Sequence, residues 1–348
     1  MGNIHKINWT GSSHEEWLAQ RKATEGIGNL DVTRIGASDV SVITGSNKWK
    51  CRRRLFYHLI GLYSSEWRTN KSVAGHLLEP VVAANWEAWT ESEDQFLFNL
   101  ERGVKVRNTR KADYFLLNDR YENLFVSIDR LHDGEVFSPF TGELYPELTP
   151  IELKTTEDSY YRLWSDGITA SYREQVMAQM MVSETKVAVF CVLVNGTYFH
   201  VREVEYDSFL AEQIDYQTRE FATIVKAGKQ ILDLKNSAKT EKEREEYEAM
   251  LEEITPDPLE LSDEQDLNKE RYGSSLGSVI GDERDFVFLE QYQSAHDGIK
   301  ALEEAKQLAK NNLTTKMKDA EELKFEGGKV TWRRSPDKRD FFSIKVFK

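Results

Sequence analysis

Only two cysteines, Cys51 and Cys191, occur in the 348 residues. They lie in unrelated contexts, which excludes a cysteine-rich metal cluster or a disulfide framework and fits a reducing compartment. Long hydrophobic runs are also missing. The longest clean one, VAVFCVLV at 187–194, has eight residues; it is far too short to span a bilayer and suits a buried strand. No positively charged start followed by an apolar segment is seen, so no signal peptide and a cytoplasmic location are expected. Internal repeats are absent as well.

The chain is 40% hydrophobic, 11% aromatic and 30% charged, a composition that reads as mostly folded. The net charge of -13 argues mildly against a nucleic-acid partner, but the charge is unevenly spread. Residues 241–272 hold thirteen acids and four bases, whereas 301–348 hold twelve bases and eight acids. KWKCRRR at 48–54 carries five bases and no acid. A local basic groove is compatible with an acidic whole.

HEEWLAQRKA at 14–23 reads as a short helix. In the following TRIGASDVSVITG, Ser38 or Asp39 is placed to cap a helical turn and Gly45 to end it. KCRRRLFYHLIGLY has helical periodicity, with Leu55, Leu59 and Leu62 as core contacts. VAGHLLEPVVAANWEAW at 73–89 reads as a helix that starts near Gly75 or Leu77, because Pro80 is tolerated in a first turn. VKVRNTR, YFLLND and LFVSIDRLHDG are strand-like, and 134–150, with three prolines, is a long loop. A helix over about 170–182 leads into VAVFCVLV. Asn195-Gly196 then turns that strand into YFHVREVEYD. The order predicts an α/β fold with a mixed sheet. A long helix over 207–234 follows. The acidic 241–272 stretch reads as a solvated linker or irregular insertion. Residues 294–323 form one broken helix or a pair, and FEGGKVTWRR with FFSIKVF a closing hairpin.

IELKT at 151–155 puts Glu152 and Lys154 on one side of a strand and Leu153 on the other. An exposed pair of this kind contributes little. Three further polar groups in apolar surroundings point elsewhere: Asp129 in VSIDR, Glu79 in GHLLEP and Gln175 in QVMAQM. Closely spaced carboxylates hold Mg²⁺, and a neighbouring lysine orients or deprotonates water or offsets charge. Phosphodiester hydrolysis needs those parts.

The ordered set resembles the PD-(D/E)xK nuclease superfamily, and more closely its YqaJ-like or lambda-exonuclease family of phage recombination nucleases. Trp17 and Arg21 in WLAQR, RIGASDVSVITG, KWK, GHLLEP, SIDR, IELKT and the Gln175 helix recur in the family's order over much of the first 210 residues. The resemblance implies a restriction-endonuclease-like core at 1–235, an acidic linker or insertion at 236–275 and a helical and hairpin extension at 276–348. It implies Mg²⁺, or Mn²⁺ in its place, on Asp129, Glu152, Glu79 and the Leu153 carbonyl. Lys154 is then the catalytic lysine, supported by Gln175, and Arg21 with Ser38 binds a 5′ phosphate. Lys48, Lys50, Arg52 and Arg53 are basic candidates for backbone phosphates. Trp49 reads as a buried anchor, with a base-stacking wedge as the other reading. The implied activity is 5′→3′ digestion of linear double-stranded DNA, with a single-strand annealing protein as partner and a trimer as oligomer. The family's Pro-Asp-Gly is here Ile-Asp-Arg, and the loop from Asp129 to Glu152 is long. A PD-(D/E)xK endonuclease and a noncatalytic DNA-binding protein are the alternatives. An iron–sulfur, Cas4-like nuclease would need four cysteines.

Overall fold

The computed structural model describes residues 2–9, 13–63, 70–157, 167–258, 262–272, 281–318, 320–333 and 341–346. Contacts divide the chain into two compact units, 1–273 and 274–348.

The first unit is a mixed α/β core. Its central sheet has the order β3 (Thr109–Lys111), β6 (Arg130–His132), β7 (Ile151–Thr156), β8 (Val187–Val194) and β9 (Tyr198–Glu205). Only the β7–β8 pair is parallel; the other neighbours are antiparallel. β8 is the strand the apolar run predicted, over the same eight residues. Its alternate side chains enter two different cores. Phe190 and Val192 pack with Val176, Met177, Met180 and Met181 of α6 (Ala170–Ser183) and with Ile214, Phe221 and Val225 of α7 (Ser208–Ser237). Val189 and Cys191 pack with Ile151, Leu153 and, from α4 (Asn70–Ala88), Val82 and Trp86. Asn195 and Gly196 both take positive φ, 53° and 72°, the turn an Asn-Gly hairpin requires.

A four-stranded sheet adjoins the core in the order β1 (Ile4–Asn8), β4 (Tyr114–Asn118), β5 (Leu124–Ser127) and β2 (Ile35–Gly36). The sequence run 124–132 therefore serves both sheets, breaking at Ile128 and Asp129. α1 (His14–Glu25) is closed by a Ser13–Glu16 capping box and by Gly26 at φ 78°. A 3₁₀ turn at Ala37–Asp39 leads into α2 (Val40–Thr44), and α3 (Arg52–Ile60) follows.

Several expectations are corrected. Gly45 ends α2, but no side chain caps its start, because the Asp39 carboxylate is taken by two cations. Leu62 lies beyond the Gly61 cap and is 44% exposed. Pro80 is inside α4, which starts at Asn70, so packing of Val82 and Trp86 outweighs the lost backbone bond. An unexpected helix, α5 (Glu93–Arg102), precedes β3, and VKVR is not part of that strand. The acidic stretch is two helices, α8 (Glu241–Ile254) and α9 (Ser262–Tyr272). Leu251 and Leu267 are buried, and Asp263 receives Arg54 at 2.7 Å. Most of the expected linker thus belongs to the first unit.

The second unit has one continuous helix, α10 (Glu283–Met317), and an antiparallel meander of β10 (Glu322–Phe325), β11 (Gly328–Arg333) and β12 (Phe341–Val346). The expected hairpin is therefore three-stranded. Among the described residues no helix is long and apolar enough to cross a membrane.

Candidate active site

Leu153 faces the α4 core, so strand alternation turns Glu152 and Lys154 toward α6. Glu152 is 1% exposed. Gln175 Nε2 donates to its Oε1 and Gln179 Nε2 to its Oε2, each at 2.7 Å. The Lys154 ammonium pairs with Oε1 as well. Gln175 and Gln179 are one helical turn apart on α6, which lets one helix hold both carboxylate oxygens. Gln179 also donates to the Ser127 carbonyl at 3.2 Å, fastening the end of β5 beside β7.

That fastening places Asp129. Its Oδ2 accepts the Leu153 N–H at 2.9 Å. In an extended strand the N–H and C=O of one residue point to the same side, so the Leu153 carbonyl also points toward Asp129. Burial pushes the Asp129 carboxyl up to about 8, and the nearby Glu152 charge pushes in the same direction. Burial alone would lower the Lys154 ammonium, but Glu152 and Asp129 outweigh it and raise it above its ordinary value. Its Nζ also lies 5.2 Å from the centre of the Tyr172 ring.

Glu79 lies on α4 and its charge acts on Asp129. Glu79 Oε1 is 3.6 Å from Nη2 of Arg130, the residue that stands where the resemblance places glycine. Among the described residues no three His, Cys, Asp or Glu side chains converge to hold an ion. Asp129, Glu152 and the Leu153 carbonyl still form an all-oxygen donor set. Mg²⁺ takes one or two carboxylates and completes its shell with water, so this set fits it. Burial first and the Glu152 charge second disfavour an ionised Asp129, and a divalent cation would offset both.

A second polar cluster surrounds Arg21. Its Nε donates to Glu25 at 2.9 Å and its Nη2 to Asp39 at 2.8 Å. The exposed Ser38 hydroxyl is 3.4 Å from Nη2. Lys50 donates to the other Asp39 oxygen at 2.7 Å, and His58 lies 3.4 Å from Glu25. Burial would raise the Asp39 carboxyl, but Lys50 and Arg21 hold it at about 2. Gly36 makes room for this cluster: a Cβ there would sit 2.8 Å from Arg21 Nη2.

Arg21 and Ser38 are thus brought together, as are Asp129, Glu152, Lys154 and Gln175. KWKCRRR does not form one basic surface. Lys48 is exposed and Lys50 binds Asp39, while Arg53 lies 3.5 Å from Glu264 and Arg54 is buried against Asp263 and Glu270. Trp49 is 61% exposed, which overturns its reading as a buried anchor. Sequence reasoning passed over Gln179, Glu25, Asp39 and Glu174. The Gln-x-x-x-Gln spacing on α6 was the available signal for Gln179, and the Arg21–Glu25 i,i+4 spacing on α1 that for Glu25; Asp39 and Glu174 become visible through contacts farther apart in sequence.

A mixed sheet that embeds Asp129, Glu152 and Lys154 beneath a glutamine-bearing helix defines an α/β protein with a candidate hydrolytic centre. Residues 16–186 match the YqaJ-like viral recombinase domain. That match covers just under half of the chain. It is 31% identical over 206 residues to the uncharacterized protein YqaJ of Bacillus subtilis (strain 168), a match covering 58% of this chain and 53% of that protein. The chain thus spans about half the length of this curated relative. Among solved structures, it is similar to an alkaline exonuclease from Laribacter hongkongensis, at 17% identity and a TM-score of 0.46, over 64% of this chain and 98% of that one. A phage-related exonuclease from Haemophilus somnus aligns at 12% identity and a TM-score of 0.36, over 57% and 95% of the two chains.

Proposed function

We propose that the chain is a Mg²⁺-dependent deoxyribonuclease that digests linear double-stranded DNA from its 5′ ends and leaves 3′ single strands for annealing. The observation that carries this reading is the juxtaposition of Asp129, Glu152 and Lys154 inside a viral recombinase domain. Asp129, Glu152 and the Leu153 carbonyl would hold the ion, with Mn²⁺ as the alternative. When bound, the ion supplies charge neutralisation at the phosphate and a more acidic water. Gln175 and Gln179 fix the Glu152 carboxylate in one orientation. Lys154, raised by its two carboxylate neighbours, stays charged and offsets charge developing on the phosphate. Arg21 and Ser38 receive the 5′ phosphate, with Asp39 and Glu25 orienting the guanidinium. Glu79 acts from the edge of the site through Arg130 and its charge on Asp129. Lys48 and Arg52 contact backbone phosphates. The reading includes a single-strand annealing protein as partner, a trimeric assembly and a cytoplasmic location.

The test is a Mg²⁺ time course on linear duplexes labelled at the 5′ or the 3′ end, with and without a 5′ phosphate. Release of the 5′ label first, faster from phosphorylated ends and slowed by Arg21→Ala, is expected. Digestion of closed circular DNA would replace this reading with an endonuclease, and absence of any Mg²⁺-dependent hydrolysis would leave a DNA-binding protein.

A further inference from the structure

We propose that Trp49 stacks on the nucleobase at a DNA end, making residues 45–51 the element that grips the terminal base. The inference rests on the nuclease reading for its ligand and adds a contact residue to it. An exposed indole by itself is unremarkable on a protein surface. Here it is displayed by a loop that is hydrogen-bonded on both sides. Asn47 is the centre of that loop: its backbone N–H donates to the Ser41 carbonyl at 2.9 Å and its Nδ2 to Ser41 Oγ at 3.0 Å. Asn47 Oδ1 accepts the backbone N–H groups of Trp49 and Lys50, both at 2.9 Å. Upstream, the Thr44 and Ser46 hydroxyls donate to Glu174, each at 2.6 Å. Downstream, Lys50 binds Asp39 and the Cys51 N–H donates to Asp263 at 2.9 Å. A loop ordered on both flanks holds Trp49 at 61% exposure, so its display is built in.

The surroundings select the occupant. Lys48, the exposed residue that precedes Trp49 in the chain, offers a cation to a phosphate. Lys50, the residue that follows Trp49, shares Asp39 with Arg21, which adjoins the Ser38 hydroxyl. An exposed aromatic residue between two lysines in the chain matches a stacked base with its phosphates. Because every base has a π face, such a contact grips an end without reading its sequence. The loop is also tied to the proposed catalytic centre. Glu174, which holds Thr44 and Ser46, adjoins Gln175 on α6, which holds Glu152. One helix therefore fixes both the loop and the carboxylate.

The experiment uses the full chain in EDTA and a linear duplex carrying 2-aminopurine at the 5′-terminal nucleotide, with an internal 2-aminopurine duplex as control. Fluorescence and anisotropy are read for wild type, Trp49→Phe and Trp49→Ala, and thermal unfolding confirms that each variant folds. Wild type and Trp49→Phe are expected to keep the terminal probe quenched, while Trp49→Ala brightens it and binds the end about tenfold more weakly. The internal probe should not distinguish the three. Equal quenching and affinity for Trp49→Ala and wild type would overturn the proposal and leave the indole to a protein partner. Failure of wild type to bind duplex ends would overturn it too. The nuclease reading fails separately: without hydrolysis in Mg²⁺, a Trp49-dependent signal in EDTA would still stand.

Discussion

Asp129 is held in a place that is costly for an ionised carboxylate. Burial and Glu152 push its carboxyl up to about 8, while the Leu153 N–H partly offsets them. Asparagine has nearly the same shape and removes the repulsion with Glu152. Asp129→Asn is therefore expected to raise the metal-free unfolding midpoint by a few degrees, about the effect of 1 kcal/mol in a domain of this class. The same change should lower Mg²⁺-dependent hydrolysis by at least about a thousandfold and abolish the stabilisation by Mg²⁺ seen in wild type. Calorimetry with and without Mg²⁺ reads both. Asp39 is the opposite case. Its folded carboxyl, held at about 2 by Lys50 and Arg21, lies below the ordinary 3.8. Its stabilisation is therefore complete above about pH 4 and is lost as pH falls through about 2. Urea midpoints between pH 4 and pH 2 should fall less steeply in Asp39→Asn, which lacks roughly 2 kcal/mol of that term. At this scale the sequence made Glu152 and Lys154 legible because strand alternation alone puts them on one face. The role of Asp39 stayed hidden because it depends on Arg21, 18 positions away in the chain.

α7 contributes more than an amphipathic face. Lys229 is buried on it, and its ammonium donates to the carbonyls of Gly26 at 2.7 Å, Val32 at 2.6 Å and Asn29 at 3.3 Å, and to Thr33 Oγ1 at 3.2 Å. It thus gathers the segment between α1, which carries Arg21, and β2. Gly26 could not be another residue cheaply, since its φ is +78° and a Cβ would sit 2.2 Å from the Val32 carbonyl oxygen. Lys229→Met keeps the bulk and removes the donors. It should cost about 2–4 kcal/mol in denaturant unfolding and speed amide exchange over 26–33. Unchanged exchange there would show that the loop holds itself. The sequence revealed α7 through its long amphipathic pattern, but a lysine in such a helix gives no sign of pointing inward. Pro80 misled in the other direction. A local rule placed it in a first turn, whereas α4 runs through it because its C-terminal half packs on the central sheet.

For the molecule as a whole, the acidic stretch decides where the first unit ends. Composition marked 241–272 as solvated, since acids outnumber bases thirteen to four. What composition could not show is that some of those acids neutralise arginines of KWKCRRR, the buried Arg54 among them. Arg54 is 3% exposed and is held by Asp263 at 2.7 Å and Glu270 at 2.8 Å, and Arg53 faces Glu264. Removing the partners of a buried guanidinium costs about 3–5 kcal/mol, a large share of the 5–15 kcal/mol that stabilises a typical domain. Loss of α8 and α9 would also uncover the core around Leu251 and Leu267. A chain ending at residue 273 is therefore expected to keep a cooperative calorimetric transition and the Mg²⁺-dependent hydrolysis. One ending at residue 240 should unfold at least about ten degrees lower or fail to fold. Equal midpoints for the two truncations would return the acidic segment to the role of a linker. If the longer truncation alone folds, the charges that made 241–272 look like solvent-facing sequence are counterions for the core.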